Sequence, residues 1–422
     1  MFDYTGVAVE VWEKILLEVI DLPYVLDTLT DRETDHWRHS SRYHDLKVYT
    51  ESEHQRRTLR LVCRSWRDFA DEYQYRWITY HLPESRNTWE HKYALEAIRL
   101  ITDDAVNPNP QGTRFKSRPR RILLHITTDA DMVVFRNTID YCCPKVTTLF
   151  VKCVDRYRDQ IFEYMIEHSS KLPMVRCLNI PTPQGHPGPL RAVSAAFPAL
   201  TTFEMKKDSP YMLKEGDHLV LRDLEMLGTD ISAFPGDSFR KWDLPGIIQL
   251  NTPVGRYPHQ PPHITLEPIK SLGANLRLLN IWKAYAPIRL PVEFWTWCPC
   301  LVEFLSFFSW IFLDSPAPTG HPLKRVVHWG YNDDVGNPLA TETPRVVRNP
   351  AVLHSLECLP PGVTHFVVAQ TWTAYMNLLA RQSLYSRSQC ENILLVMNEI
   401  CAKRSIRVED QDRVALGEFL AK

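Results

Sequence analysis

Glycine is scarce in this chain. Only 15 of its 422 residues are glycine, whereas 31 are proline. Phosphate-binding loops need closely spaced glycines, because the backbone must approach the phosphate and adopt left-handed conformations. Neither G-x-G-x-x-G nor G-x-x-x-x-G-K-[ST] occurs in the sequence. The sequence therefore gives no basis for a nucleotide-binding loop of the Rossmann or P-loop kind.

An excess of positive charge is also missing. The 49 Lys and Arg residues and the 50 Asp and Glu residues give a formal net charge of −1. Proteins that bind nucleic acids need a basic excess or at least a basic patch. The basic clusters Arg56–Arg57 and Arg118–Arg121 are short. We therefore expect no nucleic-acid partner.

Long uncharged apolar stretches are absent as well. A membrane-spanning helix needs about 20 apolar residues. The best candidate, Leu301–Leu313, is shorter and contains Glu303, so it predicts a buried strand region. The N-terminal stretch has no basic start and carries Glu10 and Glu13 among its apolar residues, unlike a secretory leader. We expect no membrane partner and a cytoplasmic or nuclear location.

Metal-ligand and catalytic patterns are not evident either. The ten cysteines fall irregularly, and without an export signal we expect them to be reduced and mostly buried. Cys298-Pro299-Cys300 resembles half a metal knuckle, but its flanking residues favour the start of a strand. The histidines of the polar insert lack zinc-site spacing and a fourth ligand; they are His36, His39, His44 and His54. We expect no catalytic residue, metal or cofactor.

Amphipathic helices are predicted near the N-terminus. Val7–Asp21 and Leu59–Trp77 each carry apolar residues at spacings of three and four, so each is predicted as a helix, and the second one could turn before Trp77. Between them, residues 22–57 form a polar insert that we expect to be mostly solvated loop. Thr88–Leu100 is a third helical candidate. The proline-containing stretch Asp103–Pro119 is interpreted as a domain boundary.

Beyond residue 119, short β-rich segments alternate with helical ones. The first four predicted strands start at residues 120, 145, 174 and 199, in steps of 25, 29 and 25 residues. A strand leading into a helix at a period of about 20–29 residues is typical of leucine-rich repeats. Full βαβ units need about 30 residues or more. We therefore favour a stacked solenoid over a closed or doubly wound α/β domain, which the alternation also admits.

Several predicted strands share a short sequence at their start. A proline followed by any residue and then Val or Leu precedes the strands in CPKVTTLFV, LPMVRCLNI, FPALTTFEM and CPCLVEFLSF. The spacing breaks at about residues 228–272, which are rich in proline and are predicted to be an irregular loop.

Two N-terminal blocks resemble the F-box family. In the first block, Val7 and Ala8 stand where the family usually has Leu and Pro, and the positions that match the first F-box helix are Glu10, Val11, Trp12, Ile15 and Leu16. In the second block, nine positions match in one register: Leu59, Val62, Cys63, Arg64, Trp66, Arg67, Phe69, Ala70 and Trp77. The resemblance covers roughly residues 7–80.

The resemblance implies docking on the Skp-type adaptor of a cullin–RING ubiquitin ligase. Apolar anchors at helical spacing would bury against helices of the adaptor. The partner-binding residues that it implies are Val11, Trp12, Ile15, Leu16, Leu59, Val62, Cys63, Trp66 and Phe69. Any one of them is equally compatible with the internal core of a helical cap. Cys63 has basic neighbours but no histidine at helical spacing, so we expect a structural role for it.

These observations define the predicted architecture and function. The fold class is α+β or α/β, with an F-box-like helical module at residues 1–80, a helix and linker at 81–118, and an irregular leucine-rich-repeat-like solenoid at 119–422. We expect a non-catalytic adaptor that brings a target protein to the ligase. The alternatives are an α/β enzyme with a helical cap and an F-box scaffold that works outside a ligase. Candidate target-binding residues lie at the ends of predicted strands: Trp282, Tyr285, Trp329 and Tyr331.

Overall fold

The structure is a computed structural model of the full chain. It describes residues 9–20, 46–73, 75–80, 89–107, 119–184, 186–206, 217–229, 242–254, 266–284, 288–306, 311–313, 315–328, 358–383, 387–410 and 412–420. The chain divides into two compact units. The first unit comprises Met1–Lys206 and Leu219–Leu224, and the second comprises Lys207–His218 and Glu225–Lys422.

Three short helices are described at the start of the first unit. They are α1 (Val9–Ile20), α2 (Leu46–Leu59) and α3 (Arg64–Glu72), and a longer helix, α4 (Trp89–Val106), follows. The predicted continuous helix over Leu59–Trp77 is wrong, because α2 ends at Leu59, the chain turns, and α3 restarts after Cys63. The prediction of mostly loop at 22–57 is wrong for its last part, which belongs to α2. The helix predicted at Thr88–Leu100 is confirmed and extends to Val106.

Five parallel strands are described in the first unit as well. They are β1 (Trp77–Tyr80), β2 (Arg121–Ile126), β3 (Thr148–Cys153), β4 (Cys177–Pro181) and β5 (Thr202–Lys206). Each strand pairs with the next one along the chain. The connections carry α5 (Asp129–Asn137), a π-helical turn (Thr138–Cys142), α6 (Arg158–Glu167) and α7 (Pro189–Ala196).

The second unit repeats this arrangement. Its sheet strands are β6 (Met226–Thr229), β7 (Gln249–Val254), β8 (Leu278–Ala284), β10 (Glu303–Ser306), β12 (Arg325–His328), β13 (His365–Val368) and β14 (Arg407–Asp410). Two further strands, β9 (Ile288–Leu290) and β11 (Ile311–Leu313), pair separately. The helices described in this unit are α8 (Glu267–Leu272), α9 (Phe294–Trp297), α10 (Trp372–Ser383), α11 (Arg387–Lys403) and α12 (Leu416–Leu420).

The strand order explains how these elements stack. Within each unit the sheet strands follow one another in chain order, and every described pairing between them is parallel. A doubly wound sheet reverses its strand order at a switch point, and neither described sheet does so. The molecule is thus a mixed α/β protein with parallel strands added one rung at a time.

A tight turn precedes many strands and accounts for the shared proline sequence. In Cys143–Val146 the carbonyl of Cys143 accepts the N–H of Val146 at 3.0 Å. The turns at Leu172–Val175, Phe197–Leu200 and Cys298–Leu301 close in the same way at 3.2, 3.4 and 3.3 Å. Proline suits the second position of such a turn, because its φ is already near the required value. The residues that open and close these turns are buried, so each turn anchors its strand in the core.

One predicted loop contains a regular strand. Residues 228–272 are predicted to be irregular, but β7 (Gln249–Val254) lies within this range, pairs with β6 and β8, and is followed by α8. Leu244–Ile247 forms the same kind of turn before β7, closed at 3.2 Å. The strands predicted to start at residues 120, 145, 174 and 199 correspond to β2, β3, β4 and β5, and the strand predicted in CPCLVEFLSF corresponds to β10.

Candidate protein-docking surface

The three N-terminal helices pack around a small core of their own. Leu16 and Ile20 of α1 meet Leu59 of α2 and Ala70 of α3, all of them buried. Trp66 and Phe69 of α3 pack against this core from its edge. The period of three and four on α1 and α3 places these side chains on one face of each helix. We call α1, α2 and α3 together the helical module.

A buried arginine fixes α2 against α3. The guanidinium of Arg56 donates to both carboxylate oxygens of Glu53 at 3.1 and 3.0 Å, and also to the backbone carbonyl of Ala70 at 3.2 Å. Both charged side chains are only 2 % exposed. A buried charge is tolerated only when it is paired and hydrogen-bonded. Removing either partner would therefore destabilise the module.

A second polar contact ties the helical module to the first strand. The backbone carbonyl of Ile20, at the end of α1, accepts hydrogen bonds from Ser52 Oγ at 2.5 Å and from Arg76 Nη2 at 3.1 Å. Arg76 also donates to Ser52 Oγ, and it directly precedes β1. The last turn of a helix leaves carbonyls without intrahelical partners. Here side chains from α2 and from the start of β1 satisfy one of them.

An apolar stripe on α1 faces away from this core. Val11, Ile15 and Val19 are spaced by four residues, so they lie above one another on the same helix face. Val11 and Ile15 are 47 % and 46 % exposed. Lys14 is exposed beside the stripe, and Glu13 is exposed on another side of α1. Three aliphatic side chains aligned on one surface helix form a patch of the kind that marks interaction sites.

The turn between α2 and α3 adds more exposed apolar surface. The N–H groups of Leu61 and Val62 donate to the carbonyls of Thr58 and Leu59 at 3.0 and 3.1 Å, which closes the turn. Leu61 is 84 % exposed and Val62 is 53 % exposed. Cys63 is exposed too and occupies the N-cap position of α3 in an extended conformation. The turn thus presents two aliphatic side chains and a thiol to solvent.

The predicted partner-binding residues divide into three groups. Val11, Ile15, Val62 and Cys63 are exposed, whereas Trp12, Trp66 and Phe69 are half-buried. The rings of Trp12 and Trp66 lie 6.2 Å apart between centroids, so α1 and α3 meet there. Leu16 and Leu59 are buried in the core of the helical module, which leaves almost none of their surface for a partner. In this structure the two residues form part of the module's core, and their direct contact with a partner stays a prediction.

Sequence reasoning left out two of the exposed residues. Val19 continues the stripe of Val11 and Ile15, and its position four residues after Ile15 is the signal that could have found it. Leu61 was hidden because we predicted an unbroken helix there. Cys63 was expected on the apolar stripe of that helix, and the structure instead places it at a helix start.

The strand face that points away from the helices carries mixed chemistry in the first unit. Arg121 of β2 lies over the ring of Trp77 at 4.1 Å and near that of Phe150 at 5.7 Å, both measured to the ring centroid. On the same face, Asn179 donates to Glu204 at 2.6 Å. Cation–π contacts of this kind stabilise a buried guanidinium. The prediction of target-binding residues falls outside the described part of the chain. This holds for Tyr285, Trp329, Tyr331 and the side chain of Trp282.

Burial suppresses the reactivity of three of the described cysteines. Burial raises the pKa of the Cys143 thiol well above its usual value, with Cys142 and Asp140 adding to the effect. Burial also raises the pKa of Cys298 to about 12 and that of Cys401 to about 11. A nucleophilic cysteine needs a lowered pKa. These three thiols are therefore protonated at neutral pH and inert.

Two helix N-termini that point to the ends of strands are occupied by the chain's own carboxylates. Asp131 caps α5, and Asp410 Oδ2 accepts the N–H of Trp372, the first residue of α10, at 3.1 Å. Helix N-termini are frequent anion sites, but a carboxylate already fills these two. Within the described residues, no three His, Cys, Asp or Glu side chains come together in a group that could hold a metal ion. None of the described helices is long and apolar enough to cross a bilayer.

Comparison with known proteins shows limited similarity. No family model matches the chain, and no curated protein matches it in sequence. Among solved structures, a protein from Bacteroides fragilis is 11 % identical, with a TM-score of 0.34, over 70 % of this chain and 82 % of that one. A leucine-rich repeat protein from Bacteroides thetaiotaomicron is 11 % identical, with a TM-score of 0.26, over 64 % of this chain and 46 % of its own. This chain thus spans less than half the length of that leucine-rich repeat protein.

Proposed function

We propose that this protein is a substrate-recognition adaptor of a Skp–cullin–F-box ubiquitin ligase. The helical module would bind the Skp-type adaptor, and the strand-rich part, a degenerate leucine-rich-repeat-like solenoid, would hold a target protein. The protein itself would catalyse nothing. Holding the target near the site of ubiquitin transfer raises its effective concentration there, which is the whole contribution that this function requires. A cytoplasmic or nuclear location follows from the same proposal.

The observation that carries the proposal is the second apolar face of the helical module. One face of α1 is used internally by Leu16 and Ile20, while Val11, Ile15 and Val19 remain exposed on another. Leu61 and Val62 add to the exposed apolar surface. A lone helical cap has no use for a second aliphatic stripe, whereas a helix that packs against partner helices needs one. These residues also fall within the two blocks that resemble an F-box.

Charged residues near this apolar surface fit the usual anatomy of an interface. Lys14 lies beside the stripe on α1, and Arg64 and Arg67 are exposed at the start of α3. Protein interfaces combine an apolar centre with a polar rim that sets orientation and on-rate. This arrangement supports a protein partner rather than a small-molecule ligand.

The strand arrangement supports the adaptor over the enzyme alternative. Ligands of open α/β enzymes bind where the strand order reverses, and the described sheets add their strands in chain order. Stacked units of this kind expose a long strand face, which suits the capture of another protein.

Binding of the purified full chain to a Skp-type adaptor tests the proposal. Ile15→Asp places a carboxylate in the centre of the stripe, so we expect binding to weaken at least tenfold. Val133→Asp is the matched control, because Val133 of α5 is 57 % exposed and lies outside the helical module. Leu16→Asp is a poor test, since it would bury a carboxylate in the module's core. Equal binding by Ile15→Asp and the wild-type chain would overturn the docking assignment.

Co-purification from cells separates the ligase from the scaffold alternative. A ligase subunit brings both the Skp-type adaptor and a cullin with it, and both are lost together in the Ile15→Asp variant. A scaffold brings the adaptor without the cullin. If the wild-type chain brings neither, the proposed function fails altogether.

A further inference from the structure

The residues that precede β2, β3, β4 and β5 follow one another along one edge of the sheet, namely the edge at which these strands begin. The N–H groups of Thr147 and Thr148 both donate to the carbonyl of Arg120, at 2.8 and 3.1 Å. Those of Arg176 and Cys177 donate to the carbonyl of Thr147, and those of Thr201 and Thr202 to that of Arg176. Arg120, Thr147, Arg176 and Thr201 therefore stand on four successive rungs.

Basic side chains project from this edge. Arg120 and Arg176 are exposed, as is Lys145 in the turn before β3. The hydroxyls of Thr147 and Thr201 donate to the backbone carbonyls of Arg120 and Arg176 at 3.2 and 3.3 Å. The threonine side chains therefore bind the backbone, and the basic side chains are the ones that extend into solvent. Within the part of the chain that the structure describes, none of the three basic side chains forms an ion pair. We call Arg120, Lys145 and Arg176 the basic edge.

An exposed apolar side chain accompanies these charges. Met174, in the turn before β4, is 50 % exposed and lies two residues before Arg176. It occupies the same place in its turn as Lys145 does in the preceding one, because Cys143–Val146 and Leu172–Val175 are equivalent turns. The basic edge therefore combines three cations with one flexible apolar group, which adapts readily to different contacts.

The spacing between strands determines how far apart the charges of a matching ligand must be. Neighbouring strands lie about 4.8 Å apart, so Arg120 and Arg176, two rungs apart, are separated by roughly 10 Å along the edge. A peptide in the extended polyproline II conformation advances about 3.1 Å per residue and has three residues per turn, so residues three apart lie on the same side of it, about 9 Å apart. Acidic residues at every third position of a peptide would thus meet both arginines at once. Charge-assisted pairs of this kind are the stronger class of hydrogen bonds.

We propose that the basic edge binds an extended acidic segment of a partner protein, with carboxylates three residues apart and an apolar side chain against Met174. The inference rests on the proposed function only for the identity of the partner. If that function holds, the acidic segment belongs to the captured target protein. The binding itself involves no residue of the helical module. Each proposal can therefore fail without the other.

Fluorescence anisotropy with the purified full chain tests this inference. The probe is a fluorescein-labelled peptide of four Glu-Leu-Gly repeats, and its uncharged counterpart carries Gln in place of Glu. We expect the Glu peptide to bind at least tenfold more tightly than the Gln peptide, and its binding to weaken as salt rises because exposed charges are screened. Arg120→Glu combined with Arg176→Glu should weaken binding of the Glu peptide at least tenfold.

Matched variants keep the result interpretable. Arg99→Glu combined with Arg136→Glu makes the same change in net charge on α4 and α5, where both arginines are exposed, and should leave binding within twofold. If the charge reversal at the edge prevents folding, Arg120→Gln combined with Arg176→Gln replaces it, with the same direction expected. Equal binding of the Glu and Gln peptides, or equal losses in edge and control variants, would overturn the proposal. Tighter binding of a labelled oligothymidine than of the Glu peptide would also overturn it, because the edge would then be a phosphate-backbone site.

Discussion

The hydroxyl of Tyr80 donates a 2.6 Å hydrogen bond to Oδ1 of Asp131, and so joins the end of β1 to the start of α5. The other carboxylate oxygen, Oδ2, accepts the N–H groups of Thr127 and Thr128 and the Thr127 hydroxyl, all at 2.9 Å. The Thr128 hydroxyl in turn accepts the N–H of Asp131. One buried carboxylate thus closes a capping box and ties two successive repeats together.

Replacing this carboxylate should destabilise the first unit. In Asp131→Asn, the amide has one oxygen for four donors, and its NH2 group faces donors rather than acceptors. Leaving buried donors without acceptors costs about 1–3 kcal/mol. Urea unfolding at pH 7 should show a loss of that size, whereas Asp103→Asn, at an exposed position on α4, should change stability by less than about 0.5 kcal/mol. Equal stability of the two variants would contradict the role assigned to Asp131.

The same carboxylate should make stability fall in acid. Burial alone would raise the pKa of Asp131, but the hydrogen bonds from Tyr80, Thr127 and Thr128 outweigh it and lower the pKa to about 2. Since the folded pKa lies below the unfolded value, the stabilisation is complete above about pH 4 and is lost as pH falls towards 2. The free energy of unfolding, measured from pH 5 to pH 2, should therefore fall more steeply with decreasing pH for the wild-type chain than for Asp131→Asn.

A buried histidine in the second unit should produce a pH dependence in a higher range. Burial lowers the pKa of His328 from 6.5 to about 4, and a hydrogen bond to the Ser306 backbone offsets this only in part. The ring packs against Phe366 and Tyr375 with centroids 6.3 and 6.0 Å apart. The unfolded chain takes up a proton at higher pH than the folded one does, so stability is complete above about pH 6.5 and falls as pH drops towards 4.

His328→Leu removes this proton uptake while keeping an apolar side chain among the two rings. The wild-type chain should lose up to about 3 kcal/mol between pH 7 and pH 4 through this group, and the variant should lack that loss. Above pH 7 the two stability profiles should run parallel. Equal slopes for both proteins between pH 7 and pH 4, measured by urea unfolding, would contradict the assignment.

Much of the strand arrangement could be predicted because the turn before a strand has a strong local signal. Proline at the second turn position and a buried aliphatic residue at the fourth recur in Cys143–Val146 and in three further turns. The same pattern in Leu244–Ile247 went unused, because the stretch around it is rich in proline and polar residues. The strand β7 that follows could thus have been predicted from the sequence.

The break between α2 and α3 could not be predicted from apolar spacing. Leu59, Val62, Cys63 and Trp66 keep the three-and-four pattern across the turn, so periodicity continues where the backbone does not. No glycine or proline marks the break, and the extended N-cap at Cys63 has no side-chain cap. The consequence for the site is direct, because this turn exposes Leu61 and Val62.

The basic edge could not be predicted from the sequence, because its residues lie far apart along the chain. Arg120 belongs to a visible cluster at Arg118–Arg121, but Arg176 and Lys145 stand alone in the sequence. Only the pairing of consecutive strands brings them to one edge. A formal net charge close to zero therefore does not exclude a local cluster of basic residues on the surface.

Accessibility of the cysteines yields a prediction independent of any partner. Cys63 and Cys300 are exposed, whereas Cys143 and Cys298 are buried with raised pKa values. Iodoacetamide reacts with thiolates, so Cys63 and Cys300 should be alkylated before Cys143 and Cys298 in the native protein. Peptide mass spectrometry measures each site, and labelling in urea should bring the rates together. Alkylation of Cys298 as fast as Cys63 in the native state would contradict the placement of these thiols.

A pair of glycines offers a sharp test of packing in the second unit. A Cβ added at Gly273, just after α8, would lie 2.4 Å from the backbone oxygen of Trp297 and 2.9 Å from Cys298 Sγ, whereas one added at Gly417 in α12 meets nothing within 4 Å. A backbone oxygen cannot swing aside as a flexible side chain can, so Gly273→Ala should destabilise the protein by about 1–3 kcal/mol. Gly417→Ala adds the same methyl group to an exposed helix and should stabilise it by about 0.5–1 kcal/mol, because glycine loses more backbone entropy on folding. Thermal unfolding of the two variants should therefore shift in opposite directions, and a Gly273→Ala protein as stable as the wild-type chain would show that α8 and α9 are not packed as closely as described.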